Sequence, residues 1–357
     1  MDLIDAENAE SYLRSRGLVG PRETVLVREL TGGVSNMVLL VEWGRDPQRR
    51  IVLKQARGQL RTAQPWFSSV ERIWREADVL RTCSRLLAAE EPGTGTTDEL
   101  VAVTPQIVFE DHDMYLLAMT AAPEPNSVWK HELLAERLNS RIAAACGRLL
   151  AALHGGSWRD AELERRLGDR ALFDELRVDP YYRTLALARP EARELADELI
   201  GSLRDHACSL VHADFSPKNL LVHEDGLMMV DFETGHFGDP AFDLGFFLSH
   251  LVLKACFKSP RHAGYLALSD VFSDTYSRSM STRIGDDELA RLWCRGVRHF
   301  AGCTWARLDG KSPVDYLTDP SPRDRMREIC RAVAHDNVTK WPEVVALCRQ
   351  RFETAAD

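Results

Sequence analysis

The chain has no C-x-x-C pair and no cysteine grouped with histidine. Its eight cysteines, Cys83, Cys146, Cys208, Cys256, Cys294, Cys303, Cys330 and Cys348, are scattered over 357 residues. That spacing argues against a zinc finger or a disulfide framework and fits reduced, packed thiols. No run approaches the ~20 apolar residues of a membrane-spanning helix. The most apolar stretch, Leu244 to Cys256, is short and contains His250 and Lys254. The start, MDLIDAENAESYLRSRGL, is acidic and helically spaced where an export signal needs a basic end and an apolar core. A cytoplasmic location and no membrane partner are expected. Positive charge is not in excess: 45 Lys and Arg against 54 Asp and Glu leave a formal −9, which opposes nucleic acid as a partner. Repeats, low-complexity tracts and signals of oligomeric state are lacking too.

What is present reads as a chain in two parts. Residues 6 to 17 have the spacing of a short amphipathic helix. Glu23 to Leu30, Met37 to Trp43 and Arg50 to Ala56 are rich in Val, Leu and Ile and are joined by Gly-containing turns, as in an antiparallel meander. A long helix is expected from Ser69 to Ala89, then two more strands at Gln106 to Glu110 and Met114 to Met119. TAAPEPNS, Thr120 to Ser127, breaks the pattern, and the boundary is placed there: residues 1–120 as a small sheet domain, 121–357 as a mainly helical one. Helices are expected at 130–154, 159–176, 190–206, 242–257, 262–281, 286–308 and 321–353, the last with a break.

Val211 to Gly245, VHADFSPKNLLVHEDGLMMVDFETGHFGDPAFDLG, carries the chemistry. Asp214 and Asn219 match the D-x-x-x-x-N of a kinase catalytic loop, and Asp231 follows at the tip of the apolar strand GLMMV. A carboxylate at Asp214 is the candidate that orients an acceptor hydroxyl. Asn219 and Asp231 offer hard oxygens of the kind that magnesium takes. His212 and Asp243 are expected to support the loop, with Asp239 capping or supporting beside them, while Glu233 and Lys218 are open between a site role and a solvated one. Lys54, inside the strand IVLKQA, is costly there without a partner; phosphate oxygens would be one and Glu76 another. The turn holding Gly32, Gly33, Ser35 and Asn36 suits backbone approach to a phosphate, though it carries neither a Walker A pattern nor a full G-x-G-x-x-G.

With those residues in place, the chain resembles the aminoglycoside phosphotransferase and choline kinase-like superfamily over nearly its whole length, in the branch near methylthioribose kinase. The resemblance implies an α+β, bilobal protein-kinase-like fold, a five-stranded antiparallel sheet with one long helix followed by a larger helical lobe. It implies ATP, with GTP as the alternative, together with Mg2+, and a small-molecule hydroxyl acceptor. Lys54 paired with Glu76 would position the phosphates, and Met119 and Ala121 would line the nucleotide as the linker. HAD stands for the commoner HGD and DFE for DFG, and no A-P-E-ended activation loop is present, which counts against a protein substrate.

For the acceptor, the loop-like LRVDPYYR points to Arg177 and Tyr181, the turn after Trp305 and Arg307 adds an indole and a cation, and His236 follows Asp231 closely. By resemblance, Arg307 is the candidate near the transferred phosphate. Two other readings are a nucleotide-binding scaffold without turnover and nucleotidyl transfer on the same fold.

Overall fold

A computed structural model describes residues 3–30, 36–44, 49–59, 61, 68–90, 99–336 and 338–353. The elements run α1 (Ala9–Ser15), β1 (Val25–Glu29), β2 (Asn36–Trp43), β3 (Arg50–Ala56), α2 (Arg72–Ala88), β4 (Val101–Val103), β5 (Ile107–Asp111), β6 (Leu116–Thr120) and β7 (Asn126–Val128). Helices α3 (Trp129–Leu134), α4 (Ser140–Gly156) and α5 (Ala161–Leu167) follow. Next, α6 (Ala171–Phe173) continues as a π-helix over Asp174–Arg183 into α7 (Thr184–Ala188), and α8 spans Arg193–Asp205. Four short strands, β8 (Ser209–Val211), β9 (Leu220–His223), β10 (Gly226–Met229) and β11 (His236–Gly238), precede α9 (Ala241–Phe257), α10 (His262–Met280), α11 (Asp286–Asp309), α12 (Pro320–His335) and α13 (Trp341–Glu353).

These fall into two compact units, Met1–Ser84 with Thr104–Glu124, and Arg85–Val103 with Pro125–Asp357. A single break between 120 and 121 therefore differs from the observed division. Residues 85–103 join the second unit because β4 pairs in parallel with β10 and Leu86 lies against Gly156 of α4. The first unit is a five-stranded antiparallel sheet in the order β1-β2-β3-β6-β5. Strand periodicity sorts its two faces. Leu39, Val41, Ile51, Leu53, Leu116 and Ala118 pack with Ala9 and Leu13 of α1 on one side. Ala56, Leu117 and Met119 pack with Ile73 and Ala77 of α2 on the other.

The second unit is mainly helical, with α9 against α11 and α4 against α10 as its main packing pairs. Its strands form a sheet in the order β4-β10-β9-β7 and a separate pair, β11 with β8. Three sequence expectations change here. The helix expected at 130–154 is two, because Glu136 takes a positive φ and Asn139 caps α4 through the Arg141 N–H. The region around LRVDPYYR is not a loop but a π-helix, with Pro180 inside it and Leu176, Val178, Tyr181 and Tyr182 buried. The helix expected at 159–176 is interrupted between α5 and α6.

Candidate active site

In the first unit, Lys54 shares a sheet face with Val52 and Ala56, so strand periodicity turns it toward α2. Its ammonium donates to Glu76 Oε1 at 2.7 Å, and both residues are buried. Asn36, at the start of β2, accepts at Oδ1 from the Arg72 guanidinium at 3.3 Å. Met119 is a paired strand residue opposite Val52 and Ile107, and the Ala121 N–H donates to the Arg50 carbonyl at 3.3 Å. Gly32, Gly33 and Ser35 lie outside the described residues.

In the second unit, two strand pairs clamp the loops that carry the candidate residues Asp214, Asn219 and Asp231. Val211 pairs with His236 and Leu220 with Met229, so residues 212–219 and 230–235 are each held at both ends. The Asn219 carbonyl also accepts from Val230 N–H at 3.0 Å, tying the loops together next to Asp231. Asp243, fully buried in the first turn of α9, accepts from the His212 N–H at 2.7 Å and the Ala213 N–H at 2.8 Å. It also meets His154 Nε2 at 3.3 Å. Those bonds hold Ala213 at φ 61, a left-handed conformation that a glycine adopts without strain. This is the position where the sequence has HAD in place of HGD. Asp239 caps the same helix through the Ala241 N–H and pairs with Arg295 at 2.8 Å.

Asp214 is the centre of the loop. Arg177 meets its Oδ1 at 2.8 Å; Lys218 meets Oδ2 at 2.8 Å and the Asn219 amide meets the same oxygen at 2.7 Å. Burial alone would push this carboxyl up, but Arg177 and Lys218 outweigh it and hold it below the ordinary aspartate range. It is therefore a carboxylate at neutral pH. A carboxylate has about four lone-pair sites. Three donors leave it room for one more, which a hydroxyl can take. The His212 ring nitrogen Nδ1 accepts from the Asp214 N–H at 3.2 Å. Burial pushes that imidazole below its usual value, which keeps it neutral and able to accept.

The Asn219 amide nitrogen is engaged by the Asp214 carbonyl and carboxylate, at 3.0 and 2.7 Å, which turns its oxygen away from Asp214. Asp231, half-buried at φ 71, lies two residues beyond β10, the strand that β9 supports, and Glu233 follows two residues later. An amide oxygen and carboxylates are hard donors, so this set fits magnesium rather than zinc or copper.

The residues expected to bind an acceptor scatter. Arg177 is brought to Asp214 and is also fixed by the Ala213 carbonyl at 2.8 Å. Tyr181 is buried beside Phe246, whose ring Arg177 also faces. Trp305 has no exposed surface and packs under Arg331, so it presents nothing to a ligand. His236 is buried against Phe173 at 4.3 Å. Arg307 reaches Ser312 at the end of α11. Lys218, open from sequence, sits on the Asp214 carboxylate.

The structure is of the kinase-like fold: it is similar to that of a choline/ethanolamine kinase family protein from Mesorhizobium loti, at 17% identity and TM-score 0.51, over 96% of this chain and 99% of that one. The chain belongs to the phosphotransferase enzyme family, whose model matches residues 26–267. It is 25% identical over 283 residues to methylthioribose kinase of Yersinia pseudotuberculosis, covering 70% of this chain and 65% of that protein. To the Escherichia coli methylthioribose kinase it is 27% identical over 262 residues, covering 66% of this chain and 58% of that protein. The chain thus spans less than two thirds of the length of these curated relatives.

Proposed function

We propose that the protein transfers the γ-phosphoryl group of ATP to a hydroxyl of a small molecule, with magnesium. The observation that carries this reading is Asp214, ionised, held by three donors and left with room for one hydroxyl. The hydroxyl oxygen bonds to the γ-phosphorus as the bond to the bridging oxygen breaks, ADP leaves, and the proton passes to Asp214. Little covalent work is asked of the protein, so orientation and charge supply most of the rate. Asp214 fixes the hydroxyl, while Arg177 and Lys218 fix Asp214 and offset negative charge near it. Asn219 and Asp231 are the residues that would hold magnesium, which when bound neutralises phosphate charge. Lys54, held in place by Glu76, would serve the nucleotide phosphates.

The test is ADP release over a panel of sugars, amino alcohols, hydroxy acids and antibiotics, with methylthioribose included because relatives are named for it. The product should gain one phosphoryl group, and ATP should stabilise the protein more with magnesium than without it. A product carrying a whole nucleotide would favour nucleotidyl transfer. Absence of magnesium-enhanced stabilisation would favour a scaffold.

A further inference from the structure

A second group of polar side chains in the helical unit is unused by this chemistry. Lys254 lies in α9 within LVLKACF and is 1% exposed. Its ammonium donates to the His250 carbonyl one turn back at 3.1 Å and faces the Tyr316 ring at 5.4 Å. It has lost its hydration without a carboxylate in contact among the described residues, a costly arrangement. Burial pulls it down to about 7, and Lys130 and Arg307 pull in the same direction, against Asp315. His250, 8% exposed, has an Nε2 with no hydrogen-bond partner. Burial pushes this imidazole well below its usual value, and Lys254, Arg307, Lys218 and Lys130 all add to the effect. Tyr316 Oη and Arg307 Nε are likewise buried without partners.

These groups come from four separate segments that meet near the catalytic loop. α3, which carries Lys130, packs on the turn Pro217–Asn219 that carries Lys218. Lys218 is paired with Asp214, and against the other three cations, Lys254, Arg307 and Lys130, stands Asp315, a mostly exposed carboxylate 3.7 Å from Lys130. Positive charge in excess of its counter-charge, beside a neutral imidazole and a phenol that can donate, is the chemistry of an anion site.

We propose that Lys254, Arg307, Lys130, His250 and Tyr316 hold the anionic group, a carboxylate or phosphate monoester, of the hydroxyl acceptor. This rests on the kinase reading and narrows it: the acceptor class is a hydroxy acid or a phosphorylated hydroxyl compound, not a cationic amine. Lys218 links the anion site to Asp214, so one molecule is gripped by its acid group and presented by its hydroxyl. The anion gives Lys254 its missing counter-charge, so binding draws a proton onto that amine above pH 7.

Isothermal titration of the full chain tests this at about pH 8, above the value of about 7 to which Lys254 is lowered. The probes are glycerate and glycerol phosphate, with glycerol and choline as neutral and cationic controls. Both anions, or one of them, should bind about tenfold or more tightly than either control, and the pair tells carboxylate from phosphate. Lys254→Met and, separately, Arg307→Gln should each weaken anion binding about tenfold or more. Binding heats in buffers of different ionisation enthalpy should show proton uptake in the parent and none in Lys254→Met. Controls that bind as well as the anions, or variants that bind like the parent, would overturn the proposal. So would anions displaced by magnesium and a non-hydrolysable ATP analogue, since the cluster would then belong to the nucleotide. Anion binding is read without turnover, so a chain that binds these anions but releases no ADP with any acceptor of the panel would overturn the kinase reading and keep the anion site.

Discussion

Asp214 owes its state to its neighbours. A buried aspartate by itself rises in pKa; here two cations at 2.8 Å reverse the sign. A carboxyl held below its unfolded value contributes stability above that value, and loses it as pH falls through the folded value. Removing Arg177 deletes one of the two opposing charges, so Arg177→Met should move the acid limb of the kcat/KM profile upward by about one pH unit or more, with Arg177→Lys restoring part of the shift. An unmoved limb would show that Arg177 does not set the charge of Asp214. At this scale the sequence was readable where a rule could be applied to one residue. Lys54 is marked by a cation in an apolar strand, and the same rule marks Lys254 in LVLKACF, where only the absence of a spanning helix was drawn from it. Arg177 stood out in the sequence as an acceptor candidate, but its contact with Asp214 was not legible. Its partner lies 37 positions away, and no spacing pattern connects them.

At the scale of elements, the site is a pair of loops whose ends are pinned by strands, and the first of them is also held at its start, His212 and Ala213, by one carboxylate of α9. That helix must stay close to α11. A Cβ on Gly245 would run into the Phe300 nitrogen and the His299 carbonyl carbon of α11, backbone atoms that cannot rotate away. Gly201, within α8, has nothing within 4 Å of such a Cβ. The same substitution should therefore have opposite signs: Gly245→Ala destabilises by about 2 kcal/mol through overpacking, and Gly201→Ala stabilises by about 0.5–1 kcal/mol through helix propensity. Urea denaturation of both variants checks this, and equal effects would contradict the packing account. The five strands of the first sheet and most long helices were legible because their apolar periods, two and 3.6, decide which face is buried. The π-helix around Pro180 was not, because a proline directly after an aspartate has the composition of a loop, and burial of Tyr181 and Tyr182 is a tertiary fact. Neither was β4, whose VAV is too short to have a period and exists through its pairing with β10.

For the whole molecule, the sequence marks one boundary where the structure has an interleaved division, since the end of α2 and β4 return to the helical unit. Chain order cannot display that. The family and the general fold were legible, because Val211 to Gly245 carries enough fixed chemistry to identify them, whereas the proposed anion site gathers its groups from α3, α9, α11 and the segment after it. The central claim is that Asp214 acts on the acceptor hydroxyl and not on the nucleotide. The direct test is Asp214→Asn, with magnesium-ATP affinity and turnover measured on the same sample. Affinity within about threefold of the parent with turnover down about a hundredfold or more is the predicted result, since losing a positioned acid–base group costs about that much. Turnover close to the parent's on the same acceptor would contradict the account.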